Sequence, residues 1–265
     1  MSADLALRLI ECLVGWSTLL QTLEYFKLRQ SFEAKAVWDW SLLKQEMPTL
    51  PKAVMVFFDF LFDPHKGQTA LFALRLVASI SLLAGFSLGF FISCLFVLQV
   101  LILFRFRGAF NGGSDFMTLV VLSGLMIHLC LSASPWAYMA APAGLGFIGI
   151  QLLSSYFVSG WVKLRRAEWR GGQAMIIFLD AGVYGPLSEH SLFRRPMVAK
   201  LCSWSFIIWE GLSPISLFGL DVALAYVLVA CVFHFLVFWF FGLNRFFWAW
   251  LAAMPSLIYW SGRIF

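Results

Sequence analysis

Long apolar stretches, broken at intervals by polar or glycine-bearing turns, organise this chain from end to end. About 20 apolar residues suit a membrane-crossing helix, because a rise of 1.5 Å per residue then covers the roughly 30 Å hydrocarbon layer. On that pattern spans are predicted at approximately 4 to 26, 69 to 84, 86 to 104, 116 to 133, 143 to 164, 199 to 213, 221 to 243 and 246 to 262. The run from Ala70 to Phe104 is too long for one crossing, and Gly85 with Gly89 marks a turn that divides it. Backbone groups in lipid must pair within their own segment, and these lengths fit helices rather than the short alternating strands of a barrel. The predicted fold is therefore all-α: one transmembrane domain over 1–265, with about eight spans plus interfacial helices.

Two longer polar connections interrupt the pattern, Lys27 to Gln68 and Arg165 to Lys200. Each holds an apolar stretch too short to cross, Ala53 to Phe62 and Ala174 to Leu179, which reads as an amphipathic piece lying in the interface. Trp38, Trp40, Trp169, Trp248, Trp250 and Trp260 are expected at headgroup level, as in an aromatic belt. Neither an internal repeat nor a low-complexity linker is evident.

Composition sharpens this picture. The chain is 61% hydrophobic and 12% charged, with mean hydropathy +0.85, against roughly 25% charged for soluble domains. Met1 to Leu28 carries Arg8, Glu11 and Glu24 and is expected to be a retained first helix rather than a cleaved leader. The five cysteines stand singly in apolar stretches, so they read as small packing residues, with no disulfide framework, haem attachment or metal site. The net charge of +5 does not indicate nucleic acid here, because the basic residues cluster between spans. Lys27, Arg29, Lys35, Lys44, Lys52, Lys66, Arg105, Arg107, Arg165, Arg166, Arg170, Arg194, Arg195, Lys200 and Arg245 fall in the connections after spans one, three, five and seven, which is 15 of 19. The positive-inside rule then puts both termini outside and the long connections in the cytoplasm; the same bias suits anionic lipid at that face.

Candidate chemistry reduces to a few polar residues inside spans. Tyr156, Ser159 and Lys163 lie at i−7, i−4 and i, on one helical face with Ser155 beside them. Such a stripe faces a bundle interior or a water cavity, and an ionisable residue at membrane depth is a functional candidate. A lysine amine kept from water favours its neutral form, which is a general base, whereas snorkelling to the interface is the competing reading for Lys163. Gly144, Gly146, Gly149 and Gly160 leave room for close helix contact. Glu210 precedes Gly211, Ser213 and Pro214, which should interrupt its helix, and it could pair with Lys163 or Arg75. His234 suits an interhelical hydrogen bond or a ligand, and His128 suits packing. Arg8 and Glu11 are three apart and should bridge along their helix, while Arg75 could satisfy Glu24 or a lipid phosphate. The Phe and Trp runs read as packing or lipid-facing surface. No P-loop, nucleophile elbow, H-E-x-x-H or dinucleotide motif occurs.

The pattern Tyr-Phe-x-x-Gly-x-x-Lys-Leu at 156–164, followed by Glu168-Trp169, Gly172 and Met175, resembles the lysine-bearing segment of the vitamin K-dependent gamma-carboxylases. These belong to the class of horizontally transferred transmembrane domain proteins. Asn111-Gly112-Gly113-Ser114-Asp115 resembles the Asn-Gly-Gly-Asp turn of bacterial members, and Phe233-His234, Phe246 and Pro255 keep the spacing of the penultimate helix. The resemblance covers about residues 70 to 260. It implies that Lys163 matches a base that deprotonates a reduced quinone. The carboxylases' Asn-Asn-His-Ser-Tyr turn and the histidine before their lysine helix have no counterpart, nor does their large extramembrane substrate domain, so gamma-carboxylation itself is not expected.

Two functions follow as expectations. In the first, Lys163, Glu210 and His234 are catalytic, Tyr156, Ser159 and Trp209 contact a quinone or other lipid-soluble cofactor, and a partner chain supplies the peptide modified. In the second, the chain is a non-catalytic scaffold in a larger membrane assembly, bound to lipid and neighbouring proteins. A transporter is a weaker third, since no repeated pair of broken helices is evident.

Overall fold

The computed structural model describes residues 1–47, 49–86, 89–106 and 112–263, and among them every regular element is helical. Eight helices form the bundle: α1 (Ala3–Lys27), α4 (Gly67–Leu83), α5 (Gly89–Phe106), α6 (Gly112–Ser132), α7 (Ala140–Arg165), α10 (Pro196–Gly211), α11 (Leu220–Phe241) and α12 (Asn244–Trp260). Shorter helices occupy the two long connections: α2 (Trp40–Leu43) and α3 (Lys52–Leu61) in the first, α8 (Ala167–Gly171) and α9 (Gln173–Asp180) in the second. Helices thus stand at all eight predicted places. Four of these segments, Gly89–Phe106, Gly112–Ser132, Ala137–Arg165 and Leu220–Phe241, are long and apolar enough to cross a membrane, the mark of a helical membrane protein. The other four fall short for visible reasons: α4, α10 and α12 have only 16 or 17 residues, and α1 carries Arg8, Glu11 and Glu24.

Contacts at the helix ends fix the arrangement. Arg8 donates to the carbonyls of Leu82 and Leu83 at 2.6 and 2.8 Å, tying the start of α1 to the end of α4. It also bridges Glu11 at 3.4 Å, the i,i+3 pair expected from sequence. Near the other end of α1, Glu24 accepts from Asn244 at 2.6 Å and from Arg245, so α12 also runs antiparallel to α1. The 165–196 connection meets the same end of the bundle, where Val183 N–H donates to Phe240 O at 2.9 Å. Both long connections therefore share one end. Gly85, at φ +88°, turns the chain after α4, a backbone region that suits glycine and explains the break predicted there.

Close helix contacts use small residues as expected. A Cβ on Gly144 would stand 2.6 Å from Gly124 O and 3.0 Å from His128 Cβ, so α6 and α7 meet backbone to backbone. Gly144→Leu should therefore lower stability by about 2 kcal/mol through overpacking. Ile150→Ala, on a face that is 64% exposed, should stay within about 0.5 kcal/mol. Chemical unfolding in detergent measures both, and equal effects would contradict this packing.

The first connection packs tightly against the bundle. Trp40 is buried against Phe58 and Phe62 and donates its indole N–H to Asp59 at 2.8 Å. These rings join Tyr25, Phe32, Phe72 and Phe106 in a second core, separate from the main one. Its centre is Arg105, 2% exposed, whose guanidinium carbon lies 5.6 to 5.9 Å from the ring centres of Phe32, Trp40, Phe62 and Phe106 and which donates to Trp38 O at 2.5 Å. Arg105 is thus an internal anchor rather than a loop charge. Trp250 likewise packs inside the bundle.

Candidate functional site

The site begins with a close crossing of α7 and α10. A Cβ on Gly160 would stand 2.5 Å from Gly211 N, so only glycine lets the two backbones meet there. α10 ends at Gly211, and Ser213 then donates to Leu153 O at 3.2 Å, holding the following turn against α7. This crossing sets Glu210, at the end of α10, directly against the last turn of α7. Lys163 Nζ lies 2.5 Å from Glu210 Oε2 and donates to Ser159 Oγ at 2.6 Å. Its third side faces the Trp169 ring at 5.3 Å. The two charged side chains are 18% and 4% exposed. The lysine neither snorkels to the surface nor stands as an unpaired amine: its ammonium is satisfied by a carboxylate, a hydroxyl and an aromatic face.

Two helical turns back along α7, Tyr156 Oη meets His234 Nε2 at 2.5 Å, the interhelical hydrogen bond expected for that histidine. Around Tyr156 stand Trp250, Trp209 and Tyr226, with ring centres at 5.0, 5.1 and 5.7 Å. His234 stacks on Trp250 at 5.0 Å and touches Phe233 and Phe246. Four helices thus build an aromatic cage beside the ion pair. Three polar atoms in it, His234 Nδ1, Trp209 Nε1 and Trp250 Nε1, are buried and have no hydrogen-bond partner among the described residues. Buried polar atoms are normally paired, so these three mark the cage as polar within an apolar bundle.

The structure brings Lys163, Glu210, His234, Tyr156, Ser159 and Trp209 into this one region. Ser155 stays outside it, donating instead to Gln151 O at 2.8 Å. Tyr226 and Trp250 belong to the cage; Tyr226 was not singled out by the sequence, and Trp250 was expected at headgroup level rather than as a site residue. Trp250 was hidden within a run of aromatic residues that reads as lipid-facing surface.

A second polar network lies between α1, α4, α5 and α6. Arg75, fully buried, donates to Thr22 Oγ1 at 3.1 Å and to Gln21 Oε1 at 2.5 Å. The other end of the Gln21 amide donates to Asp115 Oδ1 at 2.5 Å, and Gln99 donates to Asp115 O at 3.1 Å. This corrects the expectation that Arg75 pairs with Glu24, which takes Arg245 and Asn244 instead. Sequence reading passed over Gln21, Thr22 and Gln99. The signal was present, since Glu11, Thr18, Gln21, Thr22 and Tyr25 are all buried and recur at helical spacing on α1. Asn111 and Arg107, to which the sequence also gave weight, lie outside the described residues.

No family model, curated protein or solved structure matches this chain.

Proposed function

We propose that this protein of the bacterial cell membrane binds a lipid-soluble, quinone-like molecule in the aromatic cage and handles a proton through Lys163 and Glu210, acting on a peptide carried by a partner chain. The observation that carries this reading is the enclosed Lys163–Glu210 contact beside a cage with three unpaired polar atoms. The aromatic lining suits a flat conjugated ring, and the indole N–H groups of Trp209 and Trp250 suit carbonyl oxygens. A bound quinone would supply redox chemistry. Within the pair, Lys163 acts as a base once its proton rests on Glu210 Oε2, 2.5 Å away. Tyr156 and His234 hold the neighbouring hydrogen bond and orient the cage. The resemblance of the 156–164 segment to the lysine segment of the gamma-carboxylases supports the same assignment, and membership of the horizontally transferred transmembrane class is part of the proposal. Eight crossings, with both termini outside and the long connections in the cytoplasm, complete the proposal; the sharing of one bundle end by both connections supports it.

A short-chain ubiquinone analogue titrated into the protein in nanodiscs should quench tryptophan emission saturably, and Trp209→Phe should remove part of the saturable amplitude. Linear quenching without saturation, unchanged by Trp209→Phe, would refute the cage as its site. The second reading, a scaffold subunit, is favoured by the complete satisfaction of the Lys163 ammonium. Under it, ligand titration fails while removal of the pair disturbs assembly with neighbouring chains.

A further inference from the structure

Between α9, α10 and α11 lies an apolar slot of about 290 Å3. It is lined by Met175 and Phe178 from α9, Phe206 from α10, and Phe233, Val237 and Phe241 from α11. Phe233 and Phe241 are eight residues apart, so the slot runs roughly 12 Å along the helix axis from the bundle end inward. Phe206 and Phe233, in ring contact at 5.2 Å, close its inner end. Its volume sits at the lower edge of small-ligand pockets, and its long, narrow course suits one extended hydrocarbon chain rather than a folded peptide.

The mouth of the slot differs from its interior. Arg194 bridges Asp180 at 2.9 Å and donates to Leu187 O at 2.6 Å, which fixes Leu187 and Phe193 as the outer wall. That bridge neutralises Asp180. Arg195, next in sequence, is exposed, has no side-chain partner among the described residues, and stands two residues after Phe193 of the slot wall. It also caps the start of α10, where the free N–H groups of a 16-residue helix favour an anion. The surrounding connection is basic, with Arg165, Arg166, Arg170 and Lys200 against Glu168 and Glu189 once the Arg194–Asp180 bridge is set aside. Exposed Ile177 and Phe178 on α9 carry the apolar surface outward beside the mouth.

We propose that this slot binds an anionic phospholipid, its acyl chain between α9, α10 and α11 and its phosphate at Arg195 and the start of α10. The proposal is independent of any chemistry at Lys163.

The test uses the full chain in nanodiscs containing phosphatidylglycerol with a diazirine in its acyl tail. Crosslinks should concentrate in residues 202–206 and 233–241. Unlabelled phosphatidylglycerol should displace them about fivefold better than phosphatidylcholine, the effect of one surface cation. Arg195→Gln should abolish that preference while keeping the crosslinks, and Cys202→Trp, which fills the slot, should remove them. Where Cys202→Trp does not fold, Ser205→Trp serves the same purpose. Crosslinks spread evenly over the lipid-facing helices, or retained in the folded tryptophan variant, would overturn the slot. Equal displacement by the two lipids in the unaltered protein would overturn the anionic headgroup.

Discussion

Lys163→Met is expected to lower unfolding free energy by about 3 kcal/mol, and Glu210→Leu by a similar amount, whereas the double variant should lie within about 1 kcal/mol of the starting protein. The asymmetry follows from burial. Removing the amine leaves Glu210, whose side chain is 4% exposed, as a carboxylate without its counter-ion. Removing the carboxylate leaves an ammonium with only Ser159 and the Trp169 face. Taking away both returns two apolar side chains to an apolar crossing and leaves nothing uncompensated. Lys163 is 18% exposed, which keeps the expected value at the low end for a broken buried pair. Equilibrium unfolding of all four proteins in detergent yields the coupling directly. Additive single effects would mean that the pair does not join α7 to α10.

Gln21→Leu should be the most damaging single change in α1, at about 4 kcal/mol. One amide serves two buried charged groups, accepting from Arg75 at 2.5 Å and donating to Asp115 at 2.5 Å. Leucine leaves both of them a partner short, and each unsatisfied buried group costs roughly 1–3 kcal/mol or more when charged. Gln21→Glu separates the two roles. The new carboxylate favours Arg75 but faces Asp115 without a donor, so this variant should also be unstable. Adding Asp115→Asn restores a donor and removes the repulsion, and the double variant should recover most of the loss. Unfolding in detergent checks the series; a Gln21→Leu protein as stable as the original would show that the network contributes little.

Much of the architecture was legible because hydropathy and glycine placement act locally. The break at Gly85 followed from its freedom to take positive φ, and the predicted limits of α7, 143 to 164, match the helix within a few residues. The stripe of Tyr156, Ser159 and Lys163 was legible from helical spacing alone. What spacing did not specify was the partner. Glu210 reaches Lys163 because Gly160 lets α7 meet the backbone of α10 at Gly211, and that juxtaposes Lys163 with a residue 47 positions away. The partners of Trp40 were hidden for a related reason. Composition marks a tryptophan as suited to headgroups, but Arg105 supplies a buried cation around which Trp40, Phe32 and Phe62 pack. Gln21 escaped notice because one amide in an apolar helix looks ordinary until its two partners are seen.

The most direct test of the central claim is quinone binding by the Lys163→Met/Glu210→Leu protein, which keeps the fold while losing the charged pair. Saturable quenching of tryptophan emission in nanodiscs should weaken at least about tenfold, because the ligand then lacks the donor and acceptor beside its cage. Unchanged affinity in a double variant that unfolds like the original would contradict a role for Lys163 and Glu210 beyond joining two helices.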